Sequence, residues 1–207
     1  MNARVFLVAI IFCMILVLLI GCTTTKPSRF YVLNALEASQ RQESQACQKD
    51  PLISLGIGPI NLPRYLDRPQ IMTRINKNEL KLSEFDLWAE PLKDNVSWVI
   101  AQNLNTLLCA DTEIFPWIGS KKINYRITST VIHLDGTLGG EAFLDVRWTL
   151  FEEQAKKVLI TKESRFTEPT GSKDYNALVS AYSRLLASFS RELADSFKSI
   201  SQGKKHQ

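Results

Sequence analysis

Two histidines and four cysteines are all the imidazole and thiol chemistry this 207-residue chain offers. His206 is the penultimate residue, in a polar tail. His133 stands between Ile132 and Leu134 with no partner nearby in sequence. A general base needs a second group to orient it, so His133 reads as a surface residue at the end of a strand. Zinc clusters need Cys/His ligands in closely spaced pairs, which Cys13, Cys22, Cys47 and Cys109 do not provide. No G-x-S-x-G elbow is present. Gly56-Ile57-Gly58 lacks the third glycine and the following helix of a dinucleotide loop. Glu152 and Glu153 are adjacent, and neighbours on a strand face opposite ways. The expectation is a non-catalytic protein with no metal and no cofactor.

Cys22 is the cysteine with a chemical context. Arg4 is the only charge before a run of sixteen uncharged apolar residues, Val5 to Ile20, which Gly21 and Cys22 close. A positive start, an apolar run and a small residue before the cut form the layout of a secretory signal. The run is slightly short of the about 20 residues a membrane span wants. Thr23, Thr24 and Thr25 follow it, not a basic stop-transfer cluster. A retained single-span anchor is the competing reading. Leu19-Ile20-Gly21-Cys22 resembles the lipobox of bacterial lipoproteins. That resemblance implies lipid on the Cys22 thiol, cleavage before it, and acylation of the new N-terminus. Two acyl chains already suffice for stable anchoring. Thr23 is not the aspartate of an inner-membrane retention signal, so the outer membrane is expected.

Cys47 and Cys109 remain in the mature part. In an oxidising compartment they are a candidate disulfide. The alternative is a buried apolar Cys109 and a free loop thiol at Cys47, since sequence gives no Cα separation.

These residues must be carried by a framework, and the sequence outlines one α+β domain. The expected organisation is a signal peptide over 1–21, a lipidated tether over 22–29, a folded domain over 30–200 and a polar tail over 201–207. Strands are expected at Phe30–Ala35, Leu52–Gly58, Gln70–Ile75 and Glu79–Leu82. Pro91 opens a helix to Cys109, with Val96, Val99, Ile100, Leu104, Leu107 and Leu108 on one face. Three alternating strands follow at Lys122–Leu134, Glu141–Glu152 and Lys157–Phe166, the pattern of an antiparallel meander with one buried face. From Lys173 to about Ile200, Leu178, Tyr182, Leu185, Leu186, Phe189, Leu193 and Phe197 form one stripe. The expected fold is a two-layer α/β (α+β) domain, a mostly antiparallel sheet covered by two amphipathic helices.

Two segments stand out from this framework. They are Arg64-Tyr65-Leu66-Asp67-Arg68-Pro69-Gln70-Ile71-Met72-Thr73-Arg74 and Glu84-Phe85-Asp86-Leu87-Trp88-Ala89-Glu90-Pro91-Leu92. Together with the lipobox, the early Phe30-Tyr31 and the terminal helix, they resemble PqiC-type lipoproteins, the ABC-type transport auxiliary lipoproteins. The resemblance spans about residues 22 to 200. Met72 stands where valine is commoner, and Leu87 where a basic residue is common. The resemblance implies a role beside MCE-type lipid transporters, in which the lipoprotein holds the periplasmic MCE component at the outer membrane. Arg64, Tyr65, Asp67, Arg68 and Arg74 are the candidate partner contacts it suggests. Turn chemistry alone also accounts for Asp67 and Pro69. Trp88 is expected to plug the core under the helix start. A homo-oligomer would suit a tubular partner. The alternative function is a periplasmic lipid carrier that works without an MCE protein and holds an acyl chain between helix and sheet.

Charge excludes one further class. Twenty-five Lys+Arg against 21 Asp+Glu leave a net +4, spread along the chain without the basic face that nucleic acid requires.

Overall fold

The computed structural model describes residues 6–7, 10, 26–37, 53–117 and 122–204. Cys22, Cys47, the polar end of the tail and most of the expected signal peptide and tether lie outside the described residues.

The alternating segments pair as their periodicity requires. β6 (Tyr125–Gly136), β7 (Glu141–Glu152) and β8 (Lys157–Pro169) form an antiparallel meander. Ala142, Leu144, Val146, Trp148 and Leu150 on β7 turn to the core, each at most 1% exposed. The meander does not stand alone. β2 (Ser54–Asn61) lies parallel to β6, and β5 (Asp111–Ile114), not anticipated from sequence, lies parallel to β2. The five-stranded sheet is therefore mixed, in the order β5-β2-β6-β7-β8. β2 runs past Pro59, where a stop was expected. Its pairing with β6 shifts register between Ile57 and Ile60, and Gly58 there takes φ +113°, a conformation suited to glycine.

A second, three-stranded sheet in the order β1-β4-β3 separates from the first. It contains β1 (Arg29–Tyr31), β3 (Gln70–Arg74) and β4 (Leu80–Trp88). The strand expected over Phe30–Ala35 is thus only its first part. Beyond Tyr31, three backbone donors are taken by side chains. Asn95 Oδ1 accepts from the Leu33 N–H at 2.6 Å, Ser183 Oγ from Asn34 at 3.1 Å and Asn103 Oδ1 from Leu36 at 2.7 Å. With its N–H groups held this way, the segment has no need of a strand neighbour.

Helix α1 (Leu92–Leu108) buries Val96, Val99, Ile100 and Leu104. Helix α2 (Tyr175–Lys204) buries all seven residues of its expected stripe against β7, β8 and α1. A polar relay also ties α2 to the sheet. Trp148 Nε1 donates to Ser164 Oγ at 3.1 Å, Ser164 donates to Glu192, and Lys162 Nζ lies 3.2 Å from Glu192. Among the described residues, no helix is long and apolar enough to cross a membrane.

Candidate functional site: the cavity between the two signature segments

Between β2 and β3 the chain makes one 3-10 turn, Arg64–Leu66. The Leu66 N–H bonds to the Pro63 carbonyl at 2.9 Å and the Asp67 N–H to the Arg64 carbonyl at 3.1 Å. Leu66 is buried, and this fixes the turn so that Arg64, Asp67 and Arg68 stay exposed. The second segment meets the first directly. The Trp88 backbone N–H donates to the Pro69 carbonyl at 2.7 Å. Trp88 itself is 6% exposed, with its ring 6.4 Å from that of Tyr182.

The two segments enclose an open cavity of about 520 Å³. Leu66, Pro69, Trp88, Pro91 and Leu92 supply apolar wall, and Arg64, Asp67, Arg68, Glu90 and Lys93 supply charge. Helix α1 starts at this wall. Its N-cap is Pro91, which makes no side-chain cap; the Asp94 N–H bonds to the Pro91 carbonyl at 2.9 Å, and Asp94 is the acid of the first turn.

The five expected contact residues divide into two groups. Arg64, Asp67 and Arg68 line the cavity, whereas Tyr65 and Arg74 turn inward. Arg74 Nε donates to Asp135 Oδ1 and Nη2 to Asp135 Oδ2, both at 2.7 Å, and Nη1 donates to the Asn76 and Lys77 carbonyls. The hydrogen bond to Asp135 raises the Arg74 pKa further. Burial, with the Asp135 carboxylate second, pushes the Tyr65 hydroxyl up. Burial does the same to Tyr182 on the facing helix.

Asp86 is the member of the second segment that sequence reasoning passed over. Its carboxylate accepts from the Tyr31 hydroxyl at 2.9 Å and the Ser83 hydroxyl at 2.8 Å, and Arg29 Nη2 lies 2.7 Å away. It pins β1 to β4. The only hint in sequence was an acid within an otherwise aromatic and apolar run. Lys93 was also missed, because it falls just past the end of the second segment, in the first turn of α1.

His133 lies within β6, not at its end, because the strand continues to Gly136. The register shifts between Val131 and His133, which sends Leu134 to the core and leaves the imidazole half-exposed, 3.4 Å from Asp145. Cys109 ends α1 in the left-handed conformation at φ 50° and is disulfide-bonded, with its partner outside the described residues. Among the described residues no group of acids, cysteines or histidines could hold a metal ion.

The family model for ABC-type transport auxiliary lipoprotein components matches residues 31–194. The chain belongs to this family. Both signature segments, and every cavity residue named above, lie within the matched span of this auxiliary lipoprotein domain. No curated protein sequence matches the chain. A crystal structure of an uncharacterized protein aligns with TM-score 0.65 at 16% identity, covering 83% of this chain and 99% of that one. Protein XCC0632 from Xanthomonas campestris aligns at 0.61 and 17%, covering 84% and 99%. At such identities the likeness is one of fold.

Proposed function

We propose that this auxiliary lipoprotein is a non-catalytic subunit of an MCE-type intermembrane lipid-transport system. It sits in the outer membrane through acyl chains on Cys22, faces the periplasm and fastens the MCE component there, and so supports membrane integrity. The observation that carries the reading is the convergence of both signature segments on one cavity, with Arg64, Asp67 and Arg68 presented outward. Arg74 and Tyr65 serve this surface from behind by holding the turn in place. A homo-oligomer presenting several such cavities to a tubular partner belongs to the same reading.

The carrier alternative needs an apolar chamber between helices and sheet. In that layer Leu144, Trp148, Leu185 and Phe189 pack at 1% exposure or less, so a bound acyl chain would have to displace a filled core. This favours docking over carriage.

The test is affinity purification of the lipidated protein from detergent-solubilised envelopes, with identification of the co-purifying proteins. The expected result is an MCE protein, together with outer-membrane fractionation that a Cys22→Ala variant loses. Recovery of the protein alone, or with bound lipid and no MCE protein, overturns the reading.

A further inference from the structure

We infer that the cavity receives an acidic, extended peptide segment of the partner, whose carboxylates meet Arg64, Arg68 and Lys93 while an apolar side chain rests on Trp88. The inference deepens the docking reading and rests on it.

The charge pattern is the first argument. Six arginines of the described chain hold a carboxylate within 3.1 Å. Arg64, Arg68 and Lys93 make no ion pair and no side-chain hydrogen bond among the described residues, although all three line one concavity. A guanidinium presents a fork of donors matched to a carboxylate, and two of them on one cavity suit two acids on one segment.

The second argument is the shape of the apolar part. Leu66, Trp88 and Leu92 are each at most 6% exposed, so they form a firm floor that does not depend on a ligand for burial. A volume of about 520 Å³ falls within the usual range for ligand sites and has room for a few side chains. It does not have room for the two acyl chains of a phospholipid.

The third argument separates a peptide from an anionic membrane surface. Asp67 and Glu90 stand on the same rim as the three cations. A uniformly negative lipid surface would meet these two carboxylates along with the cations and lose much of the attraction. A polypeptide can place its acids opposite the cations and its N–H groups opposite Asp67 and Glu90, so the alternation favours a chain of defined spacing.

The test places the photocrosslinker p-benzoylphenylalanine at Asn61, an exposed residue on the rim, in the full lipidated chain within its native envelope. Crosslinked peptides are mapped by mass spectrometry. The expected product is a segment with at least two Asp or Glu residues close to an apolar one. Its yield should fall by about tenfold or more with Arg64→Glu plus Arg68→Glu, and by less with Arg64→Lys plus Arg68→Lys, which keep the charge and lose the fork. Thermal unfolding of each variant controls for folding. An acidic segment from an MCE protein supports both readings. An acidic segment from another identified protein keeps this inference and removes the MCE assignment. A neutral or basic MCE segment keeps the MCE assignment and overturns the inference. Crosslinking to phospholipid, no crosslink, or a yield indifferent to charge reversal overturns it as well.

Discussion

Arg74 and Asp135 sit on different sheets, 61 residues apart in sequence, and meet by two parallel hydrogen bonds of 2.7 Å. The Asp135 side chain is 4% exposed and that of Arg74 25%. Thr137 Oγ1, two residues further along the chain from Asp135, donates to the Arg74 carbonyl at 3.2 Å, so the joint has a backbone component too. Arg74 also ends the strand that follows the cavity turn, which makes this pair the clamp that fixes the turn to the main sheet.

Removing one member of a buried pair strands the other's charge, which typically costs 3–5 kcal/mol. Arg74 is partly open to water, so Asp135→Ala should fall at the lower end, about 3 kcal/mol. The double change Arg74→Met with Asp135→Leu should recover much of that loss, because no unpaired charge remains. Urea unfolding of the two variants decides the point. Equal destabilisation by both would show that the pair's geometry, and not stranded charge, is what matters.

Asp145 links stability to pH. The Arg165 guanidinium, by its hydrogen bonds to the carboxylate, holds the Asp145 pKa below the usual aspartate range against an opposing effect of burial. A carboxyl whose pKa is lower in the folded state stabilises the fold above its unfolded pKa, about 3.9. That contribution is lost as pH falls through the folded value. Thermal midpoints measured from pH 7 to pH 2 should therefore show wild type above Asp145→Asn near neutrality, with the gap closing below about pH 4. A gap that stays constant across the range would contradict the assignment.

How much of this was legible in sequence follows from how local each signal is. β7 and the α2 stripe were readable residue by residue, because period 2 and period 3.6 are set by neighbours in the chain. The division into two sheets was not, since it depends on β2 pairing in parallel with β5 and β6, strands that sequence cannot rank as partners. The strand expected over Phe30–Ala35 stops at Tyr31, where Asn95, Ser183 and Asn103 claim the donors of Leu33, Asn34 and Leu36 from far along the chain. At the site, the Arg64–Arg74 segment stood out, but which of its residues face outward depended on Asp135. An acid between Leu134 and Gly136 at a turn gives no sign that it is buried.

The Cys109 disulfide is expected to close on Cys47. Cys13 falls within the expected signal peptide and Cys22 is the expected lipid site, so Cys47 is the thiol left for it. Peptide mapping without reduction should find the peptides of Cys47 and Cys109 joined in protein taken from the envelope. Cys47→Ser with Cys109→Ser should then cost about 4 kcal/mol in the chain-entropy model for a loop of this length. Free thiols at both positions would remove the bond from the account of stability.

Trp88 carries the last prediction because it belongs to core and cavity at once. Its backbone N–H joins the two signature segments, and its ring forms the cavity floor while lying beside Tyr182. Truncating a buried aromatic to alanine generally costs 3–5 kcal/mol. Trp88→Ala should lose stability by about that much and lose partner recovery with it. Trp88→Phe keeps a ring but shortens the floor, so it should cost clearly less in stability yet still weaken partner recovery. Reading both quantities on the same samples separates the roles. If recovery follows stability alone across the two variants, the floor acts only as core. If Trp88→Phe is nearly as stable as wild type and still loses the partner, the indole itself contributes to the docking surface.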